Sequence, residues 1–148
     1  MRRLGYRLAW ALLRVYWFVR RPQERGVRCA LWREGHLLLV RHSYGDRGWL
    51  LPGGRLKRGE EPSDGARREV RQEVGADLSD WHVMGSTFTT TLHKGDTTFY
   101  LRARLGDTEL DFGGPEFAEV TWWKPGELPA GASPDLVEAH RRGFLAPP

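Results

Sequence analysis

The chain has 148 residues, a length that suits one domain with a substantial hydrophobic core. Its 23 Lys and Arg outnumber its 19 Asp and Glu, giving a net charge of +4 that favours phosphate-bearing partners, either nucleotides or nucleic acid. The single cysteine, Cys29, excludes an internal disulfide and fits a reducing compartment such as the cytoplasm.

Residues 1–25 are predicted to be an N-terminal extension built on an amphipathic helix, followed by one domain over residues 26–148. Arg3, Arg7, Arg14 and Arg21 recur at four- and seven-residue intervals, which places them on one helical stripe, and large apolar side chains occupy much of the remaining surface. The uncharged runs fall far short of the ~20 apolar residues that span a bilayer. A secretory signal is disfavoured too, since an arginine interrupts the apolar run and no small-residue cleavage site follows.

Three arrangements of residues 1–21 are open on these grounds. The helix packs on its own domain or on a second copy of the chain, which would make a homodimer. Alternatively it lies on an anionic membrane surface, with arginines at the headgroups and aromatic rings buried, so that the protein is peripheral to the membrane. In the third arrangement the segment is partly disordered or belongs to a misassigned gene start.

Two strands are predicted next, over residues 27–32 and 36–42, joined by a turn at Glu34 and Gly35. Each strand carries an arginine, Arg28 and Arg41, that we expect to contact substrate phosphates. A short strand over residues 49–52 then breaks into the consecutive glycines Gly53 and Gly54. Such a pair lets the backbone approach a ligand closely.

A helix is predicted to begin at Pro62 and to end at Gly75. Glu69 and Glu73 lie at i and i+4, so their carboxylates share one face, and Gln72 lies beside them. Two carboxylates at this spacing suit Mg²⁺, which prefers oxygen ligands and keeps waters and substrate phosphates. The alternative is a solvated acidic face whose carboxylates pair with neighbouring arginines.

The later elements are a strand pair over residues 81–93 and 97–104, a strand over residues 117–124 and a helix over residues 133–142. Ser133 is expected to cap this last helix, with Pro134 at its first position. The order of elements predicts an α/β fold, in which a mixed sheet lies between helices as an α/β/α sandwich.

The spacing of the central segment resembles the Nudix box of the MutT-like Nudix hydrolases. Seven fixed positions of that box fall in register, namely Gly54, Glu60, Arg68, Glu69, Val70, Glu73 and Gly75. Gln72 departs from the box, which has Glu there, and Ala76 is small for the closing aliphatic position. With the flanking strands included, the resemblance covers residues 26–142.

The resemblance implies a Nudix-type sandwich and a hydrolase that uses Mg²⁺ or Mn²⁺. Its substrate would be a small molecule in which a nucleoside diphosphate is linked to another group, such as a nucleoside triphosphate, a nucleotide sugar or a dinucleotide, with no specific nucleic acid as partner. The family's ADP-ribose subgroup carries a proline after the box. Residues 77–93 contain none, which disfavours that subgroup.

The resemblance also implies roles by position. Glu69, Glu73 and the Gly53 carbonyl would bind the metal, with Gln72 offering an amide oxygen beside them. Glu69 or Glu116 would be the general base that takes a proton from the attacking water. A structural pair, Glu60 with Arg68, would brace the loop against the helix.

The amide at Gln72 removes one negative charge from a site that gathers cations. We therefore expect one metal ion to bind more weakly than in a site with the full set of carboxylates. The alternative function is a catalytically weak module that binds or senses nucleotides without turning them over.

Overall fold

The computed structural model describes residues 2–20, 23–45, 47–91 and 94–148, with side chains of the first helix described from residue 10 onward except at residue 17. The elements are α1 (Arg2–Arg20), β1 (Gln23–Arg33), β2 (His36–His42), β3 (Gly53–Arg55), α2 (Pro62–Val74), β4 (His82–Thr91), β5 (Lys94–Arg104), β6 (Phe117–Trp123) and α3 (Pro134–Arg141).

The sheet is mixed, as the order of elements predicts. Its strands run in the order β4-β5-β1-β2-β6, with β3 paired to β1 beside this path. The pair β1–β5 is parallel, whereas β1 is antiparallel to β2 and β3, and the β2–β6 and β4–β5 pairs are also antiparallel. The central strand β1 therefore meets three partners, and residues adjoining it are brought together from distant parts of the chain.

The core has one hydrophobic layer on each face of the sheet. Alternate residues of β1 supply the two layers, because side chains in a strand point to opposite faces. Val27, Cys29 and Leu31 pack with Val70 and Val74 of α2. On the other face lie Ala30, Trp32, Leu37, Leu39, Tyr100, Leu136 and Ala139, the last two from α3. The predicted α/β/α sandwich is confirmed.

Both helices that cover the sheet begin and end close to their predicted positions. Gly75 ends α2 in the left-handed conformation, with φ 73°, and Pro62 is its first residue. At the start of α3 the Ser133 hydroxyl accepts a hydrogen bond from the Leu136 N–H at 3.2 Å. The predicted cap is therefore present, with Pro134 directly after it.

Strand β1 begins at Gln23, earlier than the predicted residue 27, because its parallel pairing with β5 extends from Gln23 opposite Gly95. These extra residues are polar and give no strand pattern by themselves. They lie within the segment assigned to the N-terminal extension. The division of the chain at residue 25 stays a prediction.

The first helix, α1, stands apart from this sandwich. No helix among the described residues is long and apolar enough to cross a membrane. At residues 10, 12, 13, 15, 16, 18 and 19 α1 leaves large apolar side chains exposed. Within the described part of the chain it shares no extensive contact with the sheet or with α2 and α3. Arg21 of the predicted arginine stripe lies outside the described residues.

Candidate active site

The turn between residues 49 and 55 passes so close to β1 that only glycine fits at its centre. Gly53 has a φ of 152°, and a Cβ there would lie 2.1 Å from the Val27 carbonyl oxygen. This close approach aims the Gly53 N–H at α2, where it donates a hydrogen bond of 2.9 Å to Oε2 of Glu73. The observed contact of Gly53 with the acidic helix is therefore made by its N–H.

Glu73 is a buried carboxylate, only 7% exposed. Its pKa is raised to about 8, chiefly by burial, with the Gly53 N–H opposing the rise, Glu69 and Glu116 adding to it, and Arg28 opposing it. Glu73 is thus under the electrostatic influence of a second carboxylate of α2 and of one in the loop before β6. A cation beside Glu73 would relieve both the cost of its burial and this repulsion.

Glu69 lies on the same side of α2, over the second glycine of the turn. A Cβ on Gly54 would lie 2.4 Å from Oε2 of Glu69, so the missing side chain makes room for the carboxylate. The other oxygen of Glu69 forms an ion pair with Arg68. Among the described residues, no three His, Cys, Asp or Glu side chains are already arranged to hold a metal ion. The oxygen donors suit Mg²⁺ or Mn²⁺, and binding through Glu69 would compete with its Arg68 contact.

Arg68 joins the loop before α2 to the helix, as the resemblance implies. Its guanidinium donates to Oε1 of Glu60 from Nε at 2.9 Å and to Oε2 from Nη2 at 2.8 Å, and it also donates to the Arg55 carbonyl at 2.9 Å. The hydrogen bonds from Arg68 lower the pKa of Glu60 to about 2. The two oxygens of one carboxylate therefore hold Arg68 beside Glu69.

Two cavities meet at an ion pair near this acidic cluster. Arg28 Nη2 lies 3.2 Å from Oδ2 of Asp135, in the first turn of α3. A cavity of about 290 Å³ on one side is lined by this pair and by Glu24, Arg25, Gly26, Val27, Gly54, Arg55, Thr87, Thr89, Asp96 and Thr98. A cavity of about 370 Å³ on the other side is lined by His42, Tyr44, Leu50, Ser133 and Pro134 together with the same pair.

The two cavities differ in chemistry. The smaller one presents three carboxylates, three arginines and threonine hydroxyls, and burial raises the pKa of Asp96 there, with Glu24 and Asp135 adding to the effect and Arg55 and Arg28 opposing it. Such a lining can hydrogen-bond the hydroxyl groups of a ligand as well as its phosphate oxygens. The larger cavity presents the rings of Tyr44 and His42, whose centroids are 6.0 Å apart, which suits a planar ring.

The candidate residues divide between those the fold brings together and those it does not. The fold brings Glu69 and Glu73 to the same glycine pair, and Arg28 and Glu116 act on Glu73 electrostatically. Arg41 instead pairs with Glu119 at 2.8 Å and lies over the Trp49 ring at 4.2 Å, and neither of the two cavities includes it. The expectation that Arg41 contacts substrate therefore gains no support.

Gln72 is also placed away from the Gly53 turn. It is exposed and lines a cavity of about 330 Å³ on the outer face of α2, with Asp64, Arg67, Arg68 and Arg71. Within the described part of the chain its side chain makes no recorded hydrogen bond to Glu69 or Glu73. Its expected contact with a metal is therefore not supported by this arrangement.

Sequence reasoning missed the cavity residues Glu24, Asp96, Asp135 and Tyr44. The only sequence signal for Asp135 was its place in the first turn of a helix with a recognisable cap. Nothing in that turn indicated that it would pack against β1. The other three lie in strand ends and a loop whose spatial neighbours are set by the sheet order.

The substitution Gly54→Ala is expected to lower activity about 30-fold while leaving the thermal midpoint within ~3 °C, because the new methyl group displaces the Glu69 carboxylate rather than backbone. Steady-state kinetics and calorimetry would measure both. Gly126→Ala is the matched control, since a Cβ at Gly126 meets nothing within 4 Å. Full activity in Gly54→Ala would contradict the placement of Glu69.

A family model described as the NUDIX domain matches residues 22–146. The chain belongs to the NUDIX family. The Nudix domain accordingly includes β1 to α3, and α1 precedes it.

Known proteins similar to this Nudix chain agree in fold. A MutT NUDIX hydrolase from Burkholderia pseudomallei superposes with a TM-score of 0.72 at 18% identity, covering 81% of this chain and 97% of that one. An ADP-ribose pyrophosphatase from Streptococcus suis gives a TM-score of 0.63 at 21% identity, covering 82% and 88%. A curated ADP-ribose pyrophosphatase from Mycobacterium tuberculosis is 51% identical over 45 residues, which is 30% of this chain and 22% of that protein. The match therefore spans less than a quarter of this relative's length.

Proposed function

We propose that the protein is a divalent-metal-dependent hydrolase that cleaves the pyrophosphate linkage of a nucleoside diphosphate joined to another group. The observation that carries this proposal is the position of two carboxylates beside one glycine pair: the buried Glu73 accepts from the Gly53 N–H, and the Glu69 carboxylate lies over Gly54. Two carboxylates in this position can hold a cation that orients a diphosphate. Membership of the Nudix family supports the reaction class.

Glu69 and Glu73 are the proposed metal ligands, and the Gly53 carbonyl is the third ligand that we assign to the protein. When bound, Mg²⁺ or Mn²⁺ would supply charge compensation for the diphosphate oxygens and a more acidic water. The Arg68–Glu60 contacts keep α2 and its preceding loop in a fixed relation. Arg68 holds the Glu69 carboxylate until a cation competes for it.

Glu116 is the proposed general base. Its side chain is exposed at the start of β6, next to the acidic cluster, and the described residues include no arginine or lysine paired with it. Glu69, the alternative base, is already engaged by Arg68. Glu116 is therefore the more accessible of the two carboxylates for contact with an attacking water.

Glu116→Gln is expected to lower kcat about 100-fold to 1,000-fold with little change in metal affinity, because the amide cannot take the proton. The measurement is kcat against pH together with Mn²⁺ titration. Glu109→Gln, at another exposed acid, is the control. A loss of metal affinity with kcat unchanged would instead make Glu116 a ligand.

The two cavities that meet at Arg28 support a two-armed substrate, meaning one in which a central diphosphate joins two separate groups. Arg28 lies between them, in reach of a central diphosphate, and its pairing with Asp135 fixes its position. A ring would occupy the cavity of Tyr44 and His42, and a hydroxyl-rich group the cavity of Asp96 and the threonines. We therefore propose a nucleoside diphosphate linked to a sugar-like group ahead of a nucleoside triphosphate. The relatives named as ADP-ribose pyrophosphatases act on a molecule of this type by name, whereas the lack of a proline in residues 77–93 disfavours ADP-ribose itself as the substrate.

The experiment is a panel of ADP-ribose, nucleotide sugars, dinucleoside polyphosphates and nucleoside triphosphates, assayed with Mg²⁺ and Mn²⁺ and with products identified. The proposal expects a nucleoside monophosphate from a two-armed substrate and no turnover in a chelator. Turnover of triphosphates alone would contradict the two-armed substrate. Tight nucleotide binding with no turnover across the panel would favour a binding or sensing module.

Gln72→Glu is expected to lower the half-saturating Mg²⁺ concentration about threefold to tenfold. Position 72 lies one turn after Arg68, so a carboxylate there can pair with Arg68 and release Glu69 toward the metal. Rates measured across a Mg²⁺ titration would test this. The control is Ser79→Glu, which adds the same charge beyond the end of α2. An unchanged titration in Gln72→Glu would leave Gln72 without a role in metal binding.

We place the reaction in the cytoplasm. The support is Cys29, which is fully buried and whose thiol pKa is raised by burial and by Glu73, so it is an unreactive packing group. A chain with this one thiol needs no oxidising compartment.

A further inference from the structure

The chain's excess positive charge lies entirely before the Nudix domain. Residues 1–21 contain six of the 23 Lys and Arg and none of the 19 Asp and Glu. The remaining residues, 22–148, therefore carry 17 basic and 19 acidic side chains, a slight negative excess. The attraction to anions that the net charge suggests belongs to α1, and the proposed active site does not account for it.

The same helix presents large apolar side chains to solvent. Seven of them are 45% to 71% exposed, and they are Trp10, Leu12, Leu13, Val15, Tyr16, Phe18 and Val19. An apolar surface of this extent on a single helix marks an interaction site. Arg14 lies with its guanidinium 6.0 Å from the Trp10 ring centroid, so a positive charge and an aromatic ring share one region of the helix.

Two occupants fit an exposed apolar helix, namely a second copy of the chain and a lipid surface. A second α1 would bring further arginines and no acidic residue, so the two helices would repel each other. Lipid headgroups with negative charge would compensate every arginine, and the bilayer boundary accepts the aromatic rings. The distribution of charge therefore favours the lipid.

We propose that α1 docks the protein on an anionic membrane surface, lying in the plane of the interface. The helix is not apolar enough to span a bilayer, which agrees with a position along the surface. Its apolar side chains would enter the acyl boundary, and its arginines would contact lipid phosphates. The slightly acidic Nudix domain would be held off the same surface, leaving both cavities open to a soluble substrate.

The test is flotation of the full chain with vesicles of phosphatidylcholine alone and with about 30% phosphatidylserine added, at low and high salt. We expect flotation with the anionic vesicles, weak flotation with the neutral ones, and a loss at ~0.5 M salt. Arg7→Gln with Arg14→Gln is expected to lower the bound fraction about tenfold or more. Trp10→Ser with Phe18→Ser should also release the protein.

Matched variants on the domain provide the controls. Arg141→Gln with Arg142→Gln removes two charges outside α1, and Phe88→Ser with Val83→Ser removes two exposed apolar groups of β4. Both should float as the parent does. The proposal is overturned if the parent does not float, if the α1 variants float equally well, or if light scattering shows a dimer that only the Trp10 and Phe18 changes dissociate. Hydrolysis of soluble substrate, measured in parallel, should stay constant in all these variants and reports separately on the proposed function.

Discussion

Glu73→Gln is expected to lower kcat/KM at least about 1,000-fold and, in metal-free protein at neutral pH, to raise the melting temperature by about 4–8 °C. The activity falls because the buried position loses the negative charge that holds the cation. Stability rises because burial beside Glu69 and Glu116 raises the pKa of Glu73 above neutral, so folding forces a proton onto a carboxyl that is ionised in the unfolded chain. The glutamine side chain keeps the shape of the glutamate, and its amide oxygen can still accept the hydrogen bond from the Gly53 N–H.

The stability gain has a definite pH dependence. Burial places the pKa of Glu73 at about 8 in the folded protein, against an ordinary value of 4.5. Between these values the unfolded chain releases this proton more readily, so the parent loses stability as pH rises. The advantage of Glu73→Gln should therefore be small near pH 4.5, grow as pH rises and reach its maximum near pH 8.

Thermal unfolding of parent and variant across this pH range, with and without Mg²⁺, is the measurement. Saturating Mg²⁺ should stabilise the parent and not the variant. The exposed control Glu109→Gln should change neither activity nor stability. A metal-free Glu73→Gln that is less stable than the parent at pH 8 would contradict the description of Glu73 as an uncompensated buried carboxylate.

Gly53→Ala is expected to lower the free energy of unfolding by about 3–5 kcal/mol. The added methyl group would lie 2.1 Å from the Val27 carbonyl oxygen, and the backbone conformation at φ 152° disfavours any side chain. Relieving this clash requires β1 and the segment at Gly53 to move apart. That movement would also withdraw the Gly53 N–H from Glu73.

Urea denaturation would measure the loss, with Gly126→Ala as the control because its Cβ would meet nothing within 4 Å. The residual folded fraction of Gly53→Ala should also show weaker metal stabilisation than the parent. A cost below about 1 kcal/mol would contradict the close approach of Gly53, the first residue of β3, to the Val27 carbonyl of β1.

The fold and the acidic helix could be predicted because their signals are local. The spacing of Glu69 and Glu73 places both carboxylates on one helical face wherever the helix packs, and Gly75 ends the helix through its own conformation. The bounds of β2 follow from a continuous apolar run between a turn and a polar loop. The pairing of Glu60 with Arg68 was accessible only through the family resemblance, since eight residues separate them across a loop.

The cavities depend on contacts between distant segments and could not be predicted in this way. Asp135 reaches Arg28 only because α3 packs against the face of the sheet that contains Tyr100. Arg41 is turned toward Glu119, at an irregularity of the β2–β6 pairing between residues 41 and 42. The position of Gln72 could not be predicted either. Its place next to Glu69 and Glu73 on the helix does not decide whether its side chain lies near Gly53 or near the neighbouring arginines, and the structure places it with the arginines.

The central claim is that Glu69 and Glu73 bind the divalent cation that the hydrolase needs. Calorimetric titration of Mn²⁺ into the metal-free full chain, with turnover of a two-armed substrate followed on the same samples, tests it most directly. We predict that the parent binds Mn²⁺ and turns over substrate in proportion to occupancy, and that Glu69→Gln with Glu73→Gln loses both while retaining the fold. Undiminished Mn²⁺ binding by that double variant, or turnover by the parent in excess chelator, would contradict the account.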